Sequence, residues 1–183
     1  MTVLRLEKPL LVYKEQILDY KQEFLAANES MDGSGVLAQV ETIEEFIALS
    51  EQGMYKVLPR NFVLATQFLL IEETKDKLVG MMQIRHTLDK KLAVIGGHIG
   101  YSVRKSMRSQ GYAKIGLRLA LLYCQSHLQL SRVLLTCRKD NFASRKVILS
   151  QGGIKENEVI FGPYVIERYW ICLLYTSDAA DEL

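Results

Sequence analysis

The stretch Val103–Ala120, VRKSMRSQGYAKIGLRLA, carries the residue types and spacing best suited to chemistry. Arg108, Gly111 and Ala113 stand at the spacing R-x-x-G-x-A, where a basic loop runs into an amphipathic helix. The first turn of a helix leaves several backbone N–H groups unpaired and carries a partial positive charge, which together suit a phosphate. Gly111 lets the backbone approach a ligand because no Cβ stands in the way, and Ala113 keeps the next turn slim. Arg104, Lys105, Arg108, Lys114 and Arg118 add positive charge, with no acid among them. The stretch reads as a pyrophosphate cradle.

Its position depends on the elements around it. Val3–Leu6 reads as a first strand, ended by Pro9. Ile17, Tyr20 and Phe24 form the apolar stripe of a helix over 14–27. NESMDGSGV (28–36) is a Gly/Ser-rich loop with Asp32 and Ser34 as polar tips. Thr42 and Glu45 make a T-x-x-E capping box that opens a second helix, closed by Gly53 and followed by a loop around Pro59. Gln67–Ile71 and Leu78–His86 flank a turn and predict a hairpin, and Leu92–Val103 predicts a further antiparallel strand. Gly96, Gly97 and Gly100 mark a bulge in it, or a place where a ligand comes close. A helix over 111–127 and a strand over 133–137 complete a βαβ unit. Asp140 or Asn141 caps a last helix, and a hairpin turns at Gly162-Pro163.

At 183 residues and 49% apolar content, the chain is long enough for one domain with a substantial core. No apolar run approaches the roughly 18–20 residues needed to cross a bilayer, and MTVLRLEKPL has no signal-peptide pattern. Cys124, Cys137 and Cys172 lie far apart, which suggests a reduced, cytoplasmic setting. With three scattered histidines they form no metal constellation, so no metal is expected. P-loop and G-x-S-x-G motifs are absent, which removes two common nucleotide and acyl chemistries. The fold is expected to end at Ile171. Residues 172–183 change character abruptly, and Cys172–Glu182 resembles a translated sequencing adapter, so this tail is expected to be foreign. Without its three acids the formal charge rises from +2 to +5. Because the cations gather at one helix mouth, a phosphate ligand is expected before a nucleic acid.

The order β-α-α-β-β-β-α-β-α-β-β, with R-x-x-G-x-A after the fourth strand and D-N-x-x-S (Asp140, Asn141, Ser144) after the fifth, resembles the GNAT superfamily of acyl-CoA-dependent N-acetyltransferases. RHTL, GGHIGYSVR, TCRKDN and RYWI look like a bacterial branch of it. The resemblance covers residues 1–171. It implies an α/β (α+β) fold with a mixed, mostly antiparallel central sheet, splayed between the fourth and fifth strands. It also implies acetyl-CoA as co-substrate, in that splay. The backbone of Tyr101 and Val103 would pair with the pantetheine arm. The loop from Arg108 through Ser109, Gln110, Gly111, Tyr112 and Ala113 to Lys114 would hold the pyrophosphate, with Asn141 and Ser144 near the arm. The implied reaction is direct acetyl transfer to a primary amine of a small molecule or peptide, by a monomer or homodimer with no nucleic-acid or membrane partner. Two positions depart from the family pattern. Lys105 replaces a loop proline, and Ile148 stands where many members carry a tyrosine that protonates the leaving thiol.

Such a reaction needs a base for the incoming ammonium. His98, on the glycine-flanked strand, is the first candidate, and it reads equally as a hydrogen-bonded structural histidine. His86 is a weaker candidate. With Arg85, a candidate substrate contact, it ends the neighbouring strand and would face the same cleft, or else form a polar strand end. Tyr164, Arg168, Tyr169 and Trp170 shape either an acceptor pocket or core. Glu15 and Glu23 read as helix surface. A non-catalytic acyl-CoA-binding or sensory module is the competing function.

Overall fold

The computed structural model describes residues 2–57 and 63–173. Pro59 and residues 174–183, most of the expected foreign tail, lie outside the described residues. Among the described residues, seven strands and four α-helices follow in order: β1 Leu4–Glu7, α1 Lys14–Ala26, α2 Ile43–Gln52, β2 Ala65–Glu72, β3 Lys77–Arg85, β4 Ile99–Val103, α3 Tyr112–Ser126, β5 Arg132–Arg138, α4 Phe142–Ser150, β6 Ile154–Phe161 and β7 Tyr164–Cys172. The expected order of elements is the observed one.

The strands fall into two sheets, β1-β2-β3-β4 and β5-β7-β6, every pair antiparallel. On one face of the first sheet lie α1 and α2. Ile17, Tyr20 and Phe24 of α1 and Phe46 of α2 bury against Leu69, Ile71 and Met81. On the other face, Leu117, Ala120, Leu121 and Cys124 of α3 share a core with Phe68, Met82 and Ile84, and that core continues into Val133, Leu135 and Ile148. Gly116 sets how closely α3 approaches the sheet, since a Cβ there would stand 2.5 Å from Met82 Cε. Each fully buried Leu or Ile of this core is worth about 1.5–3 kcal/mol relative to exposure.

Local chemistry explains where the elements begin. Thr42 Oγ1 accepts the Glu45 N–H (3.1 Å), and Glu45 Oε2 reaches back to the Glu41 N–H (3.3 Å), one residue short of the cap itself. Asn141 Oδ1 accepts the Ser144 N–H (3.0 Å) and caps α4.

The expected strand 92–103 is half as long as the pattern suggested. Asp89 Oδ1 caps a wide helical turn at Leu92 N–H (2.7 Å), and the turn closes with Gly97 N–H donating to Leu92 O (2.7 Å). Only Ile99–Val103 is extended. The turn is an i→i+5 closure, a form that recurs at functional sites.

Candidate active site

The seam between β4 and β5 determines where a ligand enters. At one end the strands are tied, with His98 N–H donating to Leu134 O (2.8 Å) and Leu134 N–H donating to His98 Nδ1 (2.9 Å). Gly97, at φ 64°, permits this approach, because a Cβ there would stand 2.5 Å from Leu134 O. Beyond the tie no ladder joins the strands, so β4 pairs only with β3 and β5 only with β7. This is the expected splay. Arg85 N–H to His98 O (2.7 Å) and Arg104 N–H to Val79 O (3.0 Å) set the phase of the β3–β4 ladder. Alternation then turns Gly100 and Ser102 toward β3, and the peptide groups of Ile99, Tyr101 and Val103 toward the opening. An open strand edge of this kind can pair with an extended amide chain.

The opening ends at the start of α3. Ser109 (φ 63°) and Gly111 (φ 78°) take left-handed backbone two residues apart. Turns of that kind gather N–H groups into an anion-binding hollow. The first intrahelical bond is Ile115 N–H to Gly111 O (3.2 Å), so the amides of Tyr112, Ala113 and Lys114 precede it. A Cβ on Gly111 would meet nothing within 4 Å, which leaves the approach clear. These features fit a pyrophosphate.

The cations of this loop do not all serve it. Arg104 is buried, with Nε on Glu23 (2.7 Å) and a second nitrogen on Asp19, and Glu23 Oε1 also accepts the Ser106 N–H (2.8 Å). Arg108 pairs with Glu29 and donates from Nε to Val103 O (3.1 Å). A loop with no acid in its own sequence is therefore faced by three, from α1 and just beyond it. Glu23 is no ordinary surface residue but the acid that pins the loop. Lys105, Lys114 and Arg118 stay exposed.

Three expected cofactor residues come together across the opening. Tyr101 hydroxyl lies 2.8 Å from Ser144 Oγ, and Ser144 is the residue capped by Asn141. Burial pushes the Tyr101 hydroxyl up to about 12, so it keeps its proton throughout the working range. Ile148 is fully buried in the core, and no acid stands in its place on α4.

Both candidate histidines are held in hydrogen bonds to the frame, the second of the two readings open to each. With Nδ1 accepting from Leu134, the neutral His98 ring carries its proton on Nε2 and has no lone pair free for a substrate. Burial also pushes its pKa down to about 4. His98 therefore serves the frame. His86 Nε2 lies 2.8 Å from Thr66 Oγ1, whose other neighbour is the Tyr123 hydroxyl of α3 (3.3 Å). Burial lowers its pKa as well. Arg85 is the last residue of β3 and His86 lies just past it, and the two side chains bond different partners, so they are not brought together. Arg85 instead donates to Gly96 O (3.1 Å) and Gly97 O (3.0 Å), on the side of Gly100. Of the last strand, Arg168 braces the wide turn through Ala93 O (3.0 Å), and Tyr169 is core, its hydroxyl on Glu167 (2.8 Å).

One charged residue that the sequence marked only as a loop tip is Asp32. Ser102 Oγ of β4 donates to its carbonyl (2.5 Å), Gln67 Nε2 holds the next carbonyl, of Gly33 (2.8 Å), and Gly33 lies directly on Gly100. The carboxylate keeps solvent contact while protein crowds it, and desolvation raises its pKa against the pull of Ser30, Arg85 and Arg138. On the other sheet, a cavity of about 380 Å³ opens among Arg138, Lys139, Asp140, Phe142, Pro163, Tyr164 and Val165. The guanidinium of Arg138 lies 4.1 Å from the Tyr164 ring and is held by Asp140. The D-G-S-G run, an acid between residues that permit tight backbone turns, was the available sequence signal.

Residues 20–154 match the family model of the acetyltransferase (GNAT) domain. The chain belongs to the GNAT acetyltransferase family. Solved structures with the same fold include the ribosomal-protein-S5-alanine acetyltransferase of Vibrio fischeri, at 16% identity and TM-score 0.67 over 94% of this chain and 96% of that one. The microcin C7 self-immunity acetyltransferase MccE, solved with acetyl-CoA and AMP, matches at 20% identity and TM-score 0.65 over 93% and 92%. A dodecameric spermidine N-acetyltransferase of Vibrio cholerae matches at 13% identity and TM-score 0.62 over 93% of each chain. No curated protein sequence matches the chain. This GNAT protein is an acyltransferase, and its family uses acetyl-CoA. Among the described residues no helix is long and apolar enough to cross a membrane.

Proposed function

We propose that this GNAT enzyme moves the acetyl group of acetyl-CoA to a primary amine of a small molecule or peptide, by direct transfer in the cytoplasm, as a monomer or homodimer. The observation that carries the reading is the continuity of the cleft. It runs from the tied end of β4 and β5, along the open edge of Ile99, Tyr101 and Val103, to the amide hollow at Ser109–Lys114.

Each part matches one part of the donor. The hollow suits the pyrophosphate and the open edge suits the amides of the pantetheine arm. Asn141, Ser144 and Tyr101 stand where the arm would pass. When bound, the donor supplies a thioester carbonyl for the amine to attack. The chain orients the arm, excludes water with the apolar core beneath Tyr101, and offers peptide N–H groups to developing negative charge. Because Ile148 offers no proton, the thiolate leaves unaided or with help from the Tyr101 hydroxyl.

Residues 172–183 are proposed to be foreign to this domain, even though Cys172 extends β7 opposite Arg132. Protein ending near Ile171 is therefore the preparation for the deciding assay, coenzyme A release from acetyl-CoA across a panel of amines. Steady release with an acceptor is expected. Tight binding of acetyl-CoA with no turnover on any acceptor would overturn transfer and leave a sensory module.

A further inference from the structure

Arg85 is half-buried at the end of β3, and the protein uses only part of its guanidinium. Nη1 donates to Gly96 O (3.1 Å) and Gly97 O (3.0 Å), whereas Nε and Nη2 donate to nothing among the described residues. Elsewhere among those residues an arginine short of full exposure meets a carboxylate, as Arg104 does with Glu23 (2.7 Å), Arg145 with Glu167 (2.7 Å) and Arg168 with Glu156 (2.6 Å). Arg85 has no such partner among them. A cation drawn out of water without a counter-ion is destabilising, so keeping one here calls for an anion supplied from outside the chain. The acids that favour its charge, Asp32 and Asp89, make no ion-pair contact with it, and Asp89 is committed to the Leu92 N–H (2.7 Å).

The place of this guanidinium in the cleft is set by its bonds. Gly96 and Gly97 immediately precede His98, so Arg85 stands beside the tie to β5, at the end of the cleft remote from the amide hollow. Its Nη2 lies over β4, where a Cβ on Gly100 would stand 3.5 Å from it and 3.2 Å from Gly33 N. Arg85 and the loop of Gly33 therefore meet at Gly100. Successive strand residues face opposite ways, so Gly100 faces away from Tyr101. Tyr101 packs on the core that α3 and α4 cover, which leaves the Gly100 side for an approaching acceptor. A donor with its pyrophosphate in the hollow would carry its thioester toward the tie, and Arg85 would border that end.

We infer that Arg85 is the anion clamp of the acceptor site, its unused edge taking a carboxylate or phosphate carried by the incoming amine. The planar fork of a guanidinium matches either group. Gly100 adjoins Ile99 and Tyr101, whose peptide groups line the open edge, so the clamp and the reacting end stand within about two residue steps, roughly 7 Å. The ligand class is therefore an amine with a carboxylate or phosphate a few carbons away. A polyamine, which would set a second ammonium against Arg85, is disfavoured by like-charge repulsion. The inference rests on the transferase reading for its geometry and its use in turnover, but binding can be measured without turnover.

The test is calorimetric titration of the protein saturated with coenzyme A, using a short amino acid, an aminoalkyl phosphate and a plain alkylamine of similar length, with spermidine as the polyamine. The carboxylate and phosphate probes separate the two sources of the anion. At least one of them is expected to bind tenfold or more tighter than the alkylamine and spermidine. Arg85→Gln, whose amide can still donate to one of the two glycine carbonyls, should weaken that probe at least tenfold and leave the alkylamine unchanged. Thermal melts and coenzyme A affinity verify that the variant folds. If it does not fold, Arg85→Lys replaces it and should weaken the same probe several-fold, because one ammonium cannot bond the frame and the ligand in fork geometry. Equal or tighter binding of alkylamine or spermidine, unchanged affinity in the folded variant, or no binding by any probe would overturn the clamp. Absence of coenzyme A release from acetyl-CoA with a bound probe would count against the transferase reading alone.

Discussion

Nδ1 of His98 accepts the backbone N–H of Leu134 at 2.9 Å, and with the His98 N–H on Leu134 O (2.8 Å) it ties the chain just before β4 to β5. Removing the acceptor strands a buried donor, which costs about 1–3 kcal/mol. His98→Ala should therefore lower the melting temperature, while His98→Gln, whose side-chain oxygen can accept the same bond, should recover part of the loss. The sign of the pH effect follows from burial. The folded-state pKa is lowered to about 4, whereas the unfolded chain titrates near 6.5. The unfolded state thus takes up its proton first as pH falls. Stability from His98 is complete above about pH 6.5 and declines toward pH 4, by about 2 kcal/mol between pH 7.5 and 5. Urea unfolding at those two values should show a larger loss in wild type than in His98→Gln, and equal losses would remove the assignment. No rate limb near pH 6.5 is expected from this residue.

Arg104 and Glu23 lie 81 residues apart in sequence and 2.7 Å apart in the fold. The arginine side chain is 7% exposed, Glu23 21% and Asp19 66%, so the cluster is a half-wet ion pair. Removing Arg104 from a fully buried pair would cost about 3–5 kcal/mol, and the exposure of Asp19 brings the expectation to the low end, about 3. Arg104→Ala should destabilise by that amount. Glu23→Ala should weaken coenzyme A binding as well, because Glu23 also holds the Ser106 amide of the loop (2.8 Å). An Arg104→Ala protein of wild-type stability would show that the arginine is free to meet a phosphate after all.

That pair also shows where sequence reading reaches its limit. The boundaries set by local chemistry were legible, because Thr42, Glu45, Asn141 and the Gly162-Pro163 turn act within a few residues of themselves. The basic loop was legible as a loop, but the acids that occupy Arg104 and Arg108 come from α1 and just beyond it, nearly half the chain away. Gly96 and Gly97 announced a departure from a regular strand. Whether it would be a bulge or a wide helical turn depended on Asp89 capping Leu92, a contact that glycine spacing does not encode. The pairing of His98 was equally long-range, and only a partner on β5 could turn a candidate base into a strand tie.

Gly111 and Gly152 provide a matched pair for testing the phosphate hollow. Both are left-handed, at φ 78° and 81°, and a Cβ on either would meet nothing within 4 Å. A tryptophan at each position therefore carries similar backbone strain, about 1–2 kcal/mol. Only Gly111 stands at the mouth of α3. Gly111→Trp should lower coenzyme A affinity at least tenfold by calorimetry, and Gly152→Trp should leave it unchanged. Equal affinities in the two variants would move the pyrophosphate away from α3.

The hydroxyl of Tyr101 lies 2.8 Å from Ser144 Oγ, across the cleft from β4 to α4. With its pKa pushed up to about 12 by burial, it cannot act as a base near neutrality, but it can donate a hydrogen bond at any working pH. Two roles predict different kinetics. If the hydroxyl only orients the arm, Tyr101→Phe should raise KM for acetyl-CoA several-fold and leave kcat close to wild type, and Ser144→Ala should do the same. If it also steadies the departing sulfur, kcat should fall by about tenfold or more in Tyr101→Phe alone, and the loss should shrink with a thioester whose thiol is more acidic. The buried Ile148 favours the second pattern, because the cleft contains no tyrosine from α4 to share the load. Wild-type kinetics in Tyr101→Phe would mean that the thiolate leaves with no help from the protein.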